Sequence, residues 1–196
     1  MTRTKKPSQK GPKSNGGALR SRVIGQRPIL RFVIILLVLL GAFNYLYYVA
    51  FVKEGHLQPY LAAVAEATGA VLRLFGTEAR VHGTSVSSSR FALGVDNGCD
   101  ALQAVAFFVF AVIASPLRAS LLMRIGSIVL GSVLLLVINV IRIVSLYYVG
   151  AYWPSALDTM HIDVWQTIFI FLPILLWLFW VWWVLRLTKK TGDVNI

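Results

Sequence analysis

The residues able to do chemistry fall at three separated places in a chain of 196 residues. Cys99 is the only cysteine. It stands in Asp96-Asn97-Gly98-Cys99-Asp100, directly before a long apolar run. Arg142, with Asn139 one turn before it, interrupts a second apolar run. His161 stands just before a third. A thiolate is a nucleophile and metal ligand. An imidazole within reach can take its proton and later return one to a leaving group. A guanidinium beside them can stabilise a thiolate or an oxyanion. Together the three residue types fit acyl transfer through a thioester.

Each residue has a plainer reading. A single cysteine can be a small buried hydrophobe. Gly98 and the Asn97-Gly98 turn signal argue for a thiol delivered at a turn. A following helix N-terminus would favour the thiolate. Asp96 and Asp100 would oppose the thiolate if they pointed at it; they are expected to cap backbone donors or hold Arg142 instead. An arginine inside a membrane helix costs at least ~2.5 kcal/mol and is functional by default, with a structural Arg142–Asp100 pair as the alternative. His161 alone reads equally as a solvated loop histidine. His56 and His82 match no metal-ligand spacing, so no metal and no cofactor is expected.

The elements that must position these residues are membrane helices. Hydrophobic residues make up 57 % of the chain, and the mean hydropathy is +0.71. Soluble domains are less apolar, and several runs approach the ~20 residues a spanning helix needs. The expected fold is an all-α polytopic bundle of about four to five spans with a small extracytoplasmic β-hairpin. Spans are predicted at about residues 29–52, 100–114, 121–150 and 164–187. The first reads as a retained anchor, not a removed signal peptide. Pro173 predicts a kink in the last. Residues 57–76 read as an amphipathic surface helix, or less favourably a fifth span, because Glu66 and Arg73 are awkward in lipid. Residues 79–87 and 90–95 are predicted to pair as the hairpin, outside the lipid.

Charge sets the orientation. Residues 1–31 hold nine Lys or Arg and no acid. Residues 1–28 read as a disordered basic cytoplasmic tail, 29–190 as one transmembrane domain and 191–196 as a C-terminal tail. Such a tail points to anionic lipid more than to nucleic acid. Four spans then place Arg118, Arg124, Arg186, Lys189 and Lys190 inside as well. Both termini are expected in the cytoplasm, with Cys99 and His161 on the opposite face. Arg142 would lie roughly 12 Å below that face, at 1.5 Å per residue.

Three segments carry a family resemblance: Asn97–Ala104 (NGCDALQA), Asn139–Arg142 (NVIR) and His161–Gln166 (HIDVWQ). In order and placement they resemble the signature blocks of the exosortase/archaeosortase family, most like the exosortase H group. The resemblance covers about residues 81–187. It implies a membrane cysteine transpeptidase of the bacterial inner membrane. The implied partners are exported proteins ending in a sorting tail: a short motif, a transmembrane helix and a basic cluster. For the exosortase H group that motif is of the IPTLxxWG kind. The resemblance implies Cys99 as nucleophile, Arg142 as stabiliser and His161 as acid/base, with Asn139, Asp100 and Asn97 in support. Asp100 stands where many relatives carry Ser, and Ala101 where many carry Gly. The competing classes are a non-catalytic membrane subunit and a small transporter, each with Arg142 in a structural ion pair.

Overall fold

A computed structural model describes residues 16–49, 56–96 and 98–190, with side chains within residues 27–188. Residues 1–15, 50–55, 97 and 191–196 lie outside the described residues, and so do the expectations placed on them, the end of the first span at 52 among them.

Helix α1 (Gly16–Leu46) begins well before the apolar run. Residues 16–28, expected to be disordered, are therefore helical. Ala18, Leu19 and Arg20 are good helix formers, and extending a helix past an established apolar segment avoids a second nucleation cost. Among the described residues, Arg27–Val49, Leu121–Tyr152 and Pro154–Thr188 are long and apolar enough to cross a membrane. The protein is an all-α multi-pass membrane protein with a small sheet, as the composition predicts.

Helix α2 (Gln58–Leu74) is not one of those long apolar helices. Pro59 opens it, where a missing N–H costs nothing. One face buries Leu61, Val64, Ala65, Thr68 and Leu72. The other exposes Glu66 and Arg73, which pair at 3.7 Å. This is the amphipathic pattern of the first reading.

The expected hairpin is a three-stranded meander: β1 (Arg80–His82), β2 (Ser85–Ser87) and β3 (Ala92–Gly94), in that order. Residues 79–87 do not form one strand, because Gly83 at φ +59° turns the chain back. Val81 then faces Val86, and Val86 faces Leu93. Val86 is fully buried with Leu61 and Leu72 of α2 and with Ile143 and Tyr147.

Helix α3 (Leu102–Ala114) has 13 residues. It is about 20 Å long, short of the ~30 Å hydrocarbon core. Residues 115–120 leave it without helical structure and lead to α4 (Leu121–Tyr152). The two helices run antiparallel. Asn139 of α4 bonds the chain before α3, and Arg124 bonds the chain after it. Gly131 makes the close approach possible. A Cβ there would lie 2.1 Å from the Phe108 ring.

The segment 151–163, expected as a loop, is mostly helical. Trp153 breaks α4 with φ −139° because Pro154 follows. A 3-10 turn (Pro154–Ala156) and a π-helical stretch (Thr159–Trp165) lead into α5 (Gln166–Lys190). Pro173 lies inside α5 without ending it. Trp180 is buried with Phe108, Val112 and Leu135. Trp177 stacks on Phe32 of α1, with ring centroids 5.3 Å apart.

Candidate active site

The three separated positions meet. Cys99 Sγ lies 3.4 Å from His161 Nε2. Arg142 directs Nη2 at the same sulfur from 4.0 Å. Asn139, one turn before Arg142, donates Nδ2 to the Cys99 carbonyl at 2.8 Å. The spacing that put Asn139 and Arg142 on one helix face thus delivers both to one loop.

The loop is fixed by backbone geometry and by Asp100. Gly98 sits at φ +94°. The Cys99 N–H donates to the Asp96 carbonyl at 3.0 Å, closing a tight turn. Ala101 sits at φ +59°, the one non-glycine with positive φ among the described residues. It is the position where the resembled family often has Gly. Asp100 is 2 % exposed. Its Oδ1 accepts from the Leu102 N–H at 2.9 Å, capping the first turn of α3. Its Oδ2 accepts from the Tyr47 hydroxyl. The Tyr60 hydroxyl donates to the Asp100 carbonyl at 2.6 Å. Burial and the Asp100 charge push Tyr60 up to about 12, so it stays a donor.

Of the two roles anticipated for Asp100, the structure has the backbone cap and not the Arg142 pair. Its oxygens go to Leu102 and Tyr47. Arg142, 5 % exposed, stacks instead on the Phe169 ring of α5, 5.1 Å from its centroid. Its Nε has no hydrogen-bond partner, and neither has Asn139 Oδ1. Leaving such buried groups unpaired costs about 1–3 kcal/mol each.

Burial pushes the Cys99 thiol up. Arg142 pulls it down, and Asp100 and Asp96 push it up again, so it stands above its ordinary value. The thiol is therefore protonated at neutral pH and needs a base in contact. His161 is the group in contact. It sits on the π-helical stretch rather than in a loop. Such widened turns recur at functional sites because the extra residue redirects side chains.

A cavity of about 340 Å³ opens at the three residues, bounded also by Gln103, Gln166, Phe169 and Ile170. No cluster of metal-ligating side chains occurs among the described residues. Sequence reasoning missed Tyr47, Tyr60 and Phe169. Tyr47 sits beside Tyr45 and Tyr48 at a helix end and reads as interfacial, yet it is 6 % exposed. Nothing in its spacing marks a partner 53 residues away.

A family model described as transmembrane exosortase matches residues 22–180. No curated protein and no solved structure matches the chain.

Proposed function

The chain belongs to the transmembrane exosortase family, and from that membership we propose that it is a membrane-embedded cysteine transpeptidase. It cleaves the C-terminal sorting tails of exported proteins. The observation that carries this reading is the contact of Cys99 Sγ with His161 Nε2, with Arg142 Nη2 on the same sulfur.

In this mechanism His161, neutral with Nε2 unprotonated, takes the Sγ proton. The thiolate attacks the carbonyl after the recognition motif. The oxyanion forms beside Arg142, whose unpaired Nε and sulfur-directed Nη2 gain an acceptor at that moment. Stabilisation that arises only as charge develops is what lowers a barrier. The tetrahedral adduct collapses, the C–N bond breaks, and His161 protonates the leaving amine. The resulting thioester passes to an acceptor nucleophile. Asn139, Asp100 and the turn at Gly98 hold the Cys99 backbone during these steps.

The enzyme sits in the bacterial inner membrane, with both termini cytoplasmic and the site on the periplasmic side. Basic residues on the substrate's tail would hold it in register by the charge rule that orients the enzyme. The structural-pair alternatives lose support because Asp100 is engaged elsewhere.

The test is Cys99→Ala and Cys99→Ser in cells carrying a cognate sorting-tail protein. Both variants should accumulate unprocessed substrate while remaining membrane-inserted at normal abundance. Processing that survives Cys99→Ala would refute the thiol mechanism.

A further inference from the structure

Two cavities meet at the thiol. The larger, about 340 Å³, is walled by the first turns of α3 and α5, through Gln103, Ala104, Gln166 and Ile170. The smaller, about 180 Å³, is walled by Leu93 and Gly94 of β3, Asp96, Leu146 of α4, and Leu157 and Asp158. Cys99 and His161 line both. The walls belong to different surroundings. Ile170 is 57 % exposed on the apolar surface of a spanning helix. Leu93, Gly94 and Asp96 belong to the sheet and its exit turn, outside the spans.

We propose that the donor peptide reaches Cys99 from the bilayer, between α3 and α5, and that the acceptor reaches it from water through the smaller cavity, as a primary amine. This rests on the transpeptidase reading and assigns its two half-reactions to two routes. A scissile bond near the head of a substrate helix must be held in non-helical backbone at membrane depth. Its N–H and C=O groups then need partners. Carboxamides supply a donor and an acceptor at once. Gln103 and Gln166 are two exposed carboxamides on the facing helices.

The smaller cavity has the opposite chemistry. Two carboxylates, Asp96 and Asp158, stand among apolar walls, and no Lys or Arg lines it. That field opposes phosphate and carboxylate nucleophiles and favours an amine, which attacks in its neutral form. After acylation His161 is neutral again. The amine nitrogen attacks the thioester carbonyl, the C–N bond forms and the C–S bond breaks. His161 takes the amine proton and passes it to Sγ, restoring the thiol.

Because Cys99 is the only cysteine, thiol labelling of the full chain in proteoliposomes reads both routes without background. One probe is a cationic, water-soluble methanethiosulfonate. The other is a long-chain N-alkyl maleimide dissolved in the bilayer. Filling the smaller cavity with Leu157→Trp should slow the cationic reagent about tenfold or more and the maleimide less than about twofold, because access limits thiol reaction. Ile170→Trp should do the reverse. Asp158→Asn should lower the rate of the cationic reagent, relative to that of an anionic methanethiosulfonate used as a third probe, about threefold, the loss of one nearby charge. With a sorting-tail substrate, Leu157→Trp should accumulate the acyl-enzyme, and Gln103→Ala with Gln166→Ala should slow its formation. A variant that slows both probes equally, or an unchanged charge ratio in Asp158→Asn, would overturn the two-route assignment. Separated labelling with no acylation by any sorting tail would instead sink the transpeptidase reading and leave the two routes standing. Cleavage of a tail without separated labelling would do the opposite.

Discussion

Helix α4 carries two arginines, one at each end of its contact with α3, and they are used in opposite ways. Arg124 donates to four carbonyls at the C-terminal end of α3 and just beyond it. Nη1 reaches Val112 and Ile113 at 2.7 and 3.1 Å, and Nη2 reaches Ser115 and Leu117 at 3.0 and 2.6 Å. The Val112 and Ile113 carbonyls belong to the last turn of α3, where helix carbonyls lack intrahelical partners, and a cation there also meets the negative end of the dipole. Arg142 is the more deeply buried, yet it holds a sulfur at 4.0 Å, a ring face and an unpaired Nε. One guanidinium has both terminal nitrogens bonded to two carbonyls each at rest; the other keeps a donor unpaired beside a cavity. A saturated arginine stabilises the fold. An unsaturated one lowers stability and gains only when an acceptor arrives. The contrast identifies which end of the α3–α4 pair carries the chemistry.

The sharpest way to break this contrast is to neutralise each arginine in turn. Arg142→Gln should lower turnover of a sorting-tail substrate about 10²- to 10³-fold, the usual loss on removing an oxyanion donor. Thermal stability should hold or rise, since an underpaired buried charge has gone. The same variant should move the rising, thiolate-dependent limb of the kcat/KM profile. Cys99 already stands above its ordinary value, and Arg142 is the neighbouring charge that lowers it. Without that charge the thiol pKa rises further. Less thiolate then forms at a given pH, and the rising limb shifts to higher pH. Arg124→Ala should do the reverse. It should cost about 2–3 kcal/mol of stability, from several hydrogen bonds worth about 1 kcal/mol each. Turnover per folded molecule should be unchanged. If Arg124→Ala lowers turnover as steeply as Arg142→Gln, the division between the two ends is wrong.

These two arginines also mark how far the sequence could be read. Arg142 was legible because it lies mid-span, where a charge needs a reason. Arg124 was legible only as a loop cation that helps to orient the chain. The end of α3 before Pro116 was legible, but Arg124 reaches its carbonyl partners only because α4 comes close to α3, as at Gly131 against Phe108. Cys99 and His161 were legible as a pair because topology sends both to one end of the bundle. The π-helical turn that carries His161 was not, because a π turn differs from an α turn by one step of backbone hydrogen bonding, which side-chain spacing does not encode. Apolar periodicity located the long spans and the amphipathic character of α2; the pairing of its two charges came from the structure. It could not split the sheet at Gly83, where one glycine at positive φ decides the strand count. Tyr47 was out of reach for a different reason. Its role depends on α1 leaning against α3, and helix–helix docking leaves no mark in a single helix's pattern.

Tyr47→Phe examines that docking and comes next in size. It removes a hydroxyl from the buried carboxylate that caps α3. The expected result is a fall in kcat of about tenfold with little change in KM, matching the 1–3 kcal/mol of an underpaired buried acceptor. Equal losses in kcat and in folded protein would place Tyr47 on the structural side of the contrast, with Arg124.

The smallest effect is expected at Ala101, and it separates stability from chemistry most cleanly. This residue holds φ +59° between Asp100 and the first turn of α3. A side chain in the left-handed region costs about 1–2 kcal/mol, a cost that glycine escapes. Glycine is more mobile in the unfolded chain, which returns about 0.4–1 kcal/mol of the gain. Ala101→Gly should therefore leave the melting temperature unchanged or raise it slightly. The methyl group is 6 % exposed and packs with Ala104 and Phe169, beneath Arg142. Removing it loosens the ring on which the guanidinium rests. Turnover should then fall about two- to threefold while stability holds, less than 1 kcal/mol at the barrier. A loss of stability with unchanged turnover would mean that the alanine serves the fold. The strain at this turn would then belong with Arg124 and not with Arg142.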